Sequence, residues 1–201
     1  MNIFMTGITG FVGKQLSAAL LKQGHTIVGL TRQSIKADSQ HGSKLRMVTG
    51  DLYHAATWQH ELKNCQAIIA LAGEPVIGKR WTPKVKQKIL KSRVDGLHEI
   101  YKAVNALSPE HRPRILLSAS AIGYYGSSSV ALTESSSPGN GFLADVCMKW
   151  ENAAFALVKL GLRVNTLRIG LVLGTQGGIL KRMLPLFRWF LGGRLGSGKQ
   201  Y

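Results

Sequence analysis

Near the N-terminus, Thr6-Gly7-Ile8-Thr9-Gly10-Phe11-Val12-Gly13 sets glycines three residues apart. That spacing suits the binding of a dinucleotide's pyrophosphate. A glycine at Gly7 allows a tight turn, one at Gly10 lets the backbone approach the anion, and one at Gly13 lets a helix pack closely on the preceding strand. The first N–H groups of that helix then face the phosphates. Gly7, Thr9, Gly10, Phe11, Val12 and Gly13 are the expected cofactor contacts of this loop.

Two later positions bear on which dinucleotide is bound. A second apolar run, Thr26–Leu30, leads into Thr31 and Arg32. An NAD(H) site would place Asp or Glu here to hold the ribose hydroxyls. Arg32 instead suits a 2′-phosphate, which a guanidinium grips in bidentate fashion while stacking on adenine. NADP(H) is therefore expected over NAD(H). A third run ends in Gly50-Asp51-Leu52. Asp51 there is either an acceptor for the adenine amine or a turn or helix cap.

These residues need a scaffold, and the hydrophobic pattern supplies one. Strand-like runs fall at Asn2–Met5, Thr26–Leu30, Leu45–Val48, Ala67–Leu71, Arg114–Ser118 and Arg163–Leu167. Helical patterns lie between them, the clearest at Lys14–Gln23, Pro83–Asn105 and Leu143–Leu160. Buried strands alternating with helices predict an α/β fold: a doubly wound parallel sheet with helices on both faces. Gly24 marks the stop of the first helix.

The chain has 201 residues, a net charge of +16 and a pI near 10.3. Such a balance favours an anionic partner. The densest basic stretch is Lys79–Arg93, in which Lys84, Lys88 and Lys91 share one helical face and read as a solvated surface. Aromatic residues do not alternate with the charges, and no nucleic-acid motif is present, so nucleic acid is not expected. The two cysteines, Cys65 and Cys147, do not make a disulfide framework, and a cytoplasmic setting is expected. No apolar run of eighteen residues and no signal peptide occurs, so no membrane association is expected. From Gly174 the chain turns bulky and basic, then glycine-rich. A first domain over 1–173 and the beginning of a truncated C-terminal substrate domain over 174–201 are expected. An amphipathic surface helix in the tail is the rival reading, interrupted by Pro185 and Gly192–Gly193.

The motifs TGITGFVG, GDL, ALAGEP, KRWT, SASAIGYYG and VCMKWE occur in this order. Together they resemble the extended short-chain dehydrogenase/reductases, and within them the atypical "epimerase family proteins" of the YfcH type. The resemblance implies a Rossmann fold with NADP(H) across the strand ends, a small-molecule substrate and compatibility with a homodimer. Carried over by position, Leu71, Ala72, Gly73 and Glu74 would line the cofactor's ribose side, with Ser118 after the fifth strand and Gly170, Leu171 and Val172 near the nicotinamide. Arg80 and Arg93 would face the cofactor or substrate mouth, or else carry surface charge. Ser120 would bind a substrate oxygen.

The family's acid–base pair is Tyr-x-x-x-Lys on the helix of VCMKWE. Those positions are Leu143 and Cys147 here, and no Tyr-x-x-x-Lys occurs elsewhere. Neither a hydrocarbon nor a neutral thiol does that work. One alternative moves the acid to Tyr124 or Tyr125, with Ser120 as partner. Another makes Cys147 a nucleophile. A third is a protein that binds NADP(H) as a sensor or scaffold without turnover.

Overall fold

The computed structural model describes residues 1–33, 42–78, 80–175 and 177–193. Lys79 of the KRWT motif and the glycine-rich end from Arg194 to Tyr201 lie outside the described residues.

Six short, mostly apolar runs form strands: β1 (Asn2–Thr6), β2 (Thr26–Thr31), β3 (Leu45–Thr49), β4 (Ala67–Ala70), β5 (Ile115–Ala121) and β6 (Arg163–Ile169). They make one sheet in the order β3-β2-β1-β4-β5-β6. Pairing is parallel between β1 and β2, β1 and β4, β2 and β3, and β4 and β5. Because side chains alternate along a strand, the central strands bury both faces. Ile3, Met5, Ile27, Ala67 and Ile69 pack with Ile8 and Leu21 in one cluster. On the opposite side of β1, fully buried Phe4 stacks on Trp58 with ring centroids 5.2 Å apart.

The flanking helices begin where their sequences allow. Helix α1 (Phe11–Lys22) starts at the glycine loop. Helix α2 (Pro83–Asn105) has Pro83 in its first turn and Thr82 as N-cap, whose Oγ1 accepts from Val85 N at 3.3 Å. It buries Ile89, Leu97, Ile100, Ala103 and Val104. Helix α3 (Phe142–Phe155) tightens into a 3₁₀ turn over Ala156–Leu160 and stops at left-handed Gly161. Strand β7 (Leu173–Gly174) and helix α4 (Gly178–Arg188) follow.

Two expectations are corrected. Strand β5 runs to Ala121, so Ser118 and Ser120 lie inside it and not after it. Helix α4 continues through Pro185 to Arg188, so that proline does not end it, although an interior proline forgoes one backbone hydrogen bond and crowds the carbonyl four residues earlier. Among the described residues, no helix is long and apolar enough to cross a membrane.

The chain divides into two compact units. One is Met1–Ala119 with Lys149–Leu167; the other is Ser120–Met148 with the described residues from Arg168 onward. The first unit carries the sheet and the glycine loop; the second carries the turn after β5 and helix α4.

Candidate dinucleotide-binding site

In the first unit the strand order reverses at β1. The chain goes to β2 and β3 on one side and to β4 on the other. At such a reversal open α/β sheets bind ligands outside the carboxyl ends of the strands, which here is where the loops leave β1 and β4. The glycine loop leaves β1, Leu71–Glu74 leave β4, Arg32 follows β2 and Asp51 comes just after β3.

The glycine loop is built by close backbone contact. Gly7 has φ +71°, and a Cβ there would lie 2.7 Å from Leu71 C and 2.8 Å from Ala72 N. Thr6, buried, ties the two loops together: its carbonyl accepts from Leu71 N at 3.2 Å and its Oγ1 from Ala72 N at 3.3 Å. A Cβ at Gly13 would fall 2.2 Å from Gly7 O, so only glycine lets α1 sit this near the loop. Gly10 is exposed and is the N-cap of α1, with no side chain to block its approach and no acidic residue in the first turn. The first intrahelical bond is from Lys14 N to Gly10 O at 2.9 Å, so the preceding N–H groups point out of the helix end. Thr9 is exposed beside them, with Phe11 and Val12 half-buried. This uncapped, acid-free N-terminus suits an anion.

At the next strand ends, Thr31 is buried and its Oγ1 accepts from Gln33 N at 3.2 Å, while Arg32 is exposed. Asp51 shapes its own turn, accepting from Tyr53 N through Oδ1 at 3.2 Å, with Oδ2 3.5 Å from His54 Nδ1. The turn role weighed from sequence is thus present. Burial raises the Tyr53 hydroxyl above its ordinary range, aided by the Asp51 and Asp95 carboxylates and opposed by Arg32. Leu52 packs against Gly96 of α2, where a Cβ would lie 2.8 Å from Leu52 Cδ2.

The loop after β4 is tethered to α2. Glu74 N donates to Ser92 Oγ at 3.0 Å, and Glu74 Oε1 lies 3.5 Å from Lys88 Nζ. Arg93 Nη1 donates to Glu74 O at 3.1 Å and to Ile89 O at 3.0 Å. Its guanidinium carbon lies 5.0 Å from the Trp150 ring centroid, and a Cβ on Gly73 would meet it at 3.3 Å. Arg93 thus braces the loop, whereas Arg80 is exposed. Lys84, Lys88 and Lys91 are exposed along α2, as a solvated face requires. Ser118 has no exposed surface and donates to Ala119 O at 3.1 Å. A side chain sealed in this way offers nothing to a ligand, which corrects its expected role.

In the second unit, Ser120 is buried at the end of β5, and a 3₁₀ turn over Ile122–Tyr125 follows. Tyr124 and Tyr125 meet edge-on, with centroids 5.2 Å apart. Beside both lies Arg168 of β6, a residue that sequence reasoning missed. Its Nη1 donates to Tyr125 Oη at 2.8 Å, and its guanidinium carbon is 3.4 Å from the Tyr124 ring centroid. The α3 positions of the absent tyrosine and lysine pack under this turn. Leu143 Cβ would lie 3.3 Å from a Cβ on Gly123, and buried Cys147 has Sγ 3.7 Å from Ala121 O. Cys147 is thus packed beneath the turn, at the position where the family places its lysine. Gly170, Leu171 and Val172 are exposed.

A parallel sheet reversed at β1, with an uncapped glycine loop at the reversal, defines a Rossmann-type dinucleotide-binding fold. Residues 3–190 match the NAD dependent epimerase/dehydratase family, and the chain belongs to it. It is 38% identical, over its whole length, to the chloroplastic epimerase family protein SDR39U1 homolog of Arabidopsis thaliana and covers 57% of that protein. The crystal structure of human epimerase family protein SDR39U1 (isoform 2) with NADPH matches with a TM-score of 0.77 at 28% identity, over 99% of this chain and 63% of that one. A nucleoside-diphosphate sugar epimerase from Corynebacterium glutamicum matches with a TM-score of 0.79 at 30% identity, over 98% of this chain and 39% of that one. The chain thus spans less than two thirds of the length of each of these proteins.

Proposed function

We propose that this chain binds NADP(H) and belongs to an oxidoreductase of the epimerase type that acts on a small polar molecule. One observation carries the cofactor reading: the exposed Gly10 at an acid-free helix N-terminus, beside a loop that admits no Cβ at Gly7 or Gly13. The human relative bound to NADPH supports it. The N–H groups that open α1 hold the pyrophosphate, Arg32 holds the 2′-phosphate, and Leu71–Glu74 border the ribose. The bound cofactor supplies or accepts a hydride. The chain must then provide an acid or base for the substrate oxygen. With Leu143 and Cys147 spent on packing, this role falls to the tyrosine turn, with Ser120 as the second contact. The same packing favours a second reading, in which the chain senses NADP(H) without turnover. Sustained NADPH oxidation with any member of a carbonyl panel would rule that reading out.

The test is a tryptophan-fluorescence titration with NADPH and with NADH, on wild type and Arg32→Ala. One charge-assisted phosphate contact is worth ~1.5–3 kcal/mol, so the substitution weakens NADPH about ten- to a hundredfold and leaves NADH unchanged. Equal affinity for both dinucleotides, or binding of neither, would overturn the assignment.

A further inference from the structure

We propose that Arg168 is a positioning residue: it fixes the Tyr125 hydroxyl as a hydrogen-bond donor toward a ligand oxygen. The inference rests on the oxidoreductase reading and deepens it. It chooses between the two tyrosines and supplies a cation in place of the lysine that is absent at position 147.

A guanidinium has only donors, so at 2.8 Å from Arg168 Nη1 the Tyr125 oxygen must accept. A phenolic O–H lies in the plane of its ring, which leaves two in-plane positions about the oxygen. With the arginine donating to the oxygen, the hydrogen takes the position away from the guanidinium. A hydroxyl that would otherwise flip is therefore set one way, with its proton directed away from Arg168.

The cation itself is held. Arg168 Nη1 also donates to Glu134 O at 3.1 Å, and its guanidinium carbon lies 3.4 Å from the Tyr124 centroid and 5.0 Å from that of Tyr125. The turn is held too. Gly139 N donates to Tyr124 O at 2.9 Å, and a Cβ on Gly139 would fall 2.1 Å from Tyr125 O, so the backbone closes directly on the turn. Tyr124 has one ring face covered by the cation and serves as its platform. Tyr125 carries the oriented hydroxyl. All these residues lie in the same compact unit.

The chemistry follows from one fixed donor backed by a positive charge. It recognises a neutral oxygen acceptor, the carbonyl of a ketone or aldehyde or the hydroxyl of a sugar. As that oxygen gains negative charge, the donor strengthens, and the arginine stabilises what is left on the phenol.

The experiment uses protein labelled with ζ-¹³C tyrosine, with the Tyr125 signal assigned by Tyr125→Phe. Wild type, Arg168→Met and Arg168→Lys are compared, each also titrated with NADPH and assayed for NADPH oxidation with a carbonyl panel. The Tyr125 signal moves in Arg168→Met and returns toward wild type in Arg168→Lys, which keeps a charged donor; the NADPH titration does not change. With a carbonyl that turns over, Tyr125→Phe and Arg168→Met each lower kcat on the order of 10²-fold, and the double variant is no worse than either. An unmoved Tyr125 signal, or losses that multiply in the double variant, would overturn the proposal. If Arg168→Met does not fold, Tyr125→Phe leaves the ring and removes only the oxygen, and the Arg168 ¹⁵Nη signals must then shift or the proposal falls. Absence of NADPH binding would sink the cofactor reading alone, because the tyrosine signal is read without cofactor.

Discussion

Alanine at Gly13 and alanine at Gly10 should fail in opposite ways. At Gly13 the new methyl would sit 2.2 Å from Gly7 O and 2.9 Å from both Cα and O of Ile8. All three are backbone atoms, so no side chain can swing aside, and α1 must move off the loop by roughly an ångström. Alanine gains ~1 kcal/mol over glycine in a helix, while such overpacking costs up to ~3 kcal/mol. The balance is a loss of ~2 kcal/mol, which in a chain of this size lowers Tm by ~4–8 °C. At Gly10 the methyl meets only Gly7 O, at 3.1 Å, and φ −71° with ψ 170° suits any residue. The chain-entropy gain of ~0.4–1 kcal/mol offsets a poorer N-cap, so Tm stays within ~2 °C. The methyl now stands where the pyrophosphate must approach, and NADPH affinity falls by about tenfold or more. Calorimetric melts and fluorescence titrations on the same samples decide the matter. A Gly13→Ala protein as stable as wild type would show that helix propensity outweighs the clash. A Gly10→Ala protein with full affinity would remove the phosphate from this loop.

The remaining predictions concern one ion pair and two thiols. Arg46 grips both carboxylate oxygens of Glu61, and this hydrogen bonding holds the Glu61 carboxyl below its ordinary value of 4.5. A depressed carboxylate stabilises above its unfolded value and loses that contribution as pH falls through the folded one. Glu61→Gln should therefore reduce stability at neutral pH by less than about 1 kcal/mol, because Arg46 is largely exposed, and its Tm gap to wild type should close as the pH drops below 4.5. A gap that persists at pH 3 would mean that charge is not its source. Burial, with help from the Glu61 carboxylate, pushes the Cys65 thiol up to about 11, and Cys147 is 3% exposed. Native protein at pH 8 should leave both thiols unreacted with a disulfide reagent, and denaturant should release both. A fast native reaction would contradict the packing of Cys147 beneath the turn.

The sheet was legible in the sequence because its information is local. Runs such as Asn2–Met5 and Ala67–Leu71 announce strands by composition, and Thr82-Pro83 announces a helix start. The glycine loop was legible for the same reason, since strand, turn and helix follow within a dozen residues. What escaped depends on residues far apart in the chain. Arg168 reads as one more charge among many until β6 brings it to Tyr125, 43 residues earlier. The hold of Arg93 on the loop at Gly73 and Glu74 likewise follows from the fit of α2 to the β4 loop. The seal over Ser118 and the path of α4 through Pro185 are equally matters of neighbours. Leu143 and Cys147 announced a missing function from sequence; only the turn against which they pack shows what they do instead.

The chain passes between its two compact units at residues 119/120, 148/149 and 167/168. The smaller unit is therefore no cassette. No single recombination event could exchange it for another, and no single proteolytic cut could release it. Its lineage can diversify by point substitution, or by lengthening loops such as the one between Gly126 and Gly141, far more readily than by borrowing a ready-made module. Engineers face the same constraint: grafting a new specificity here means transplanting separate stretches at once, each spliced in the middle of a strand or helix.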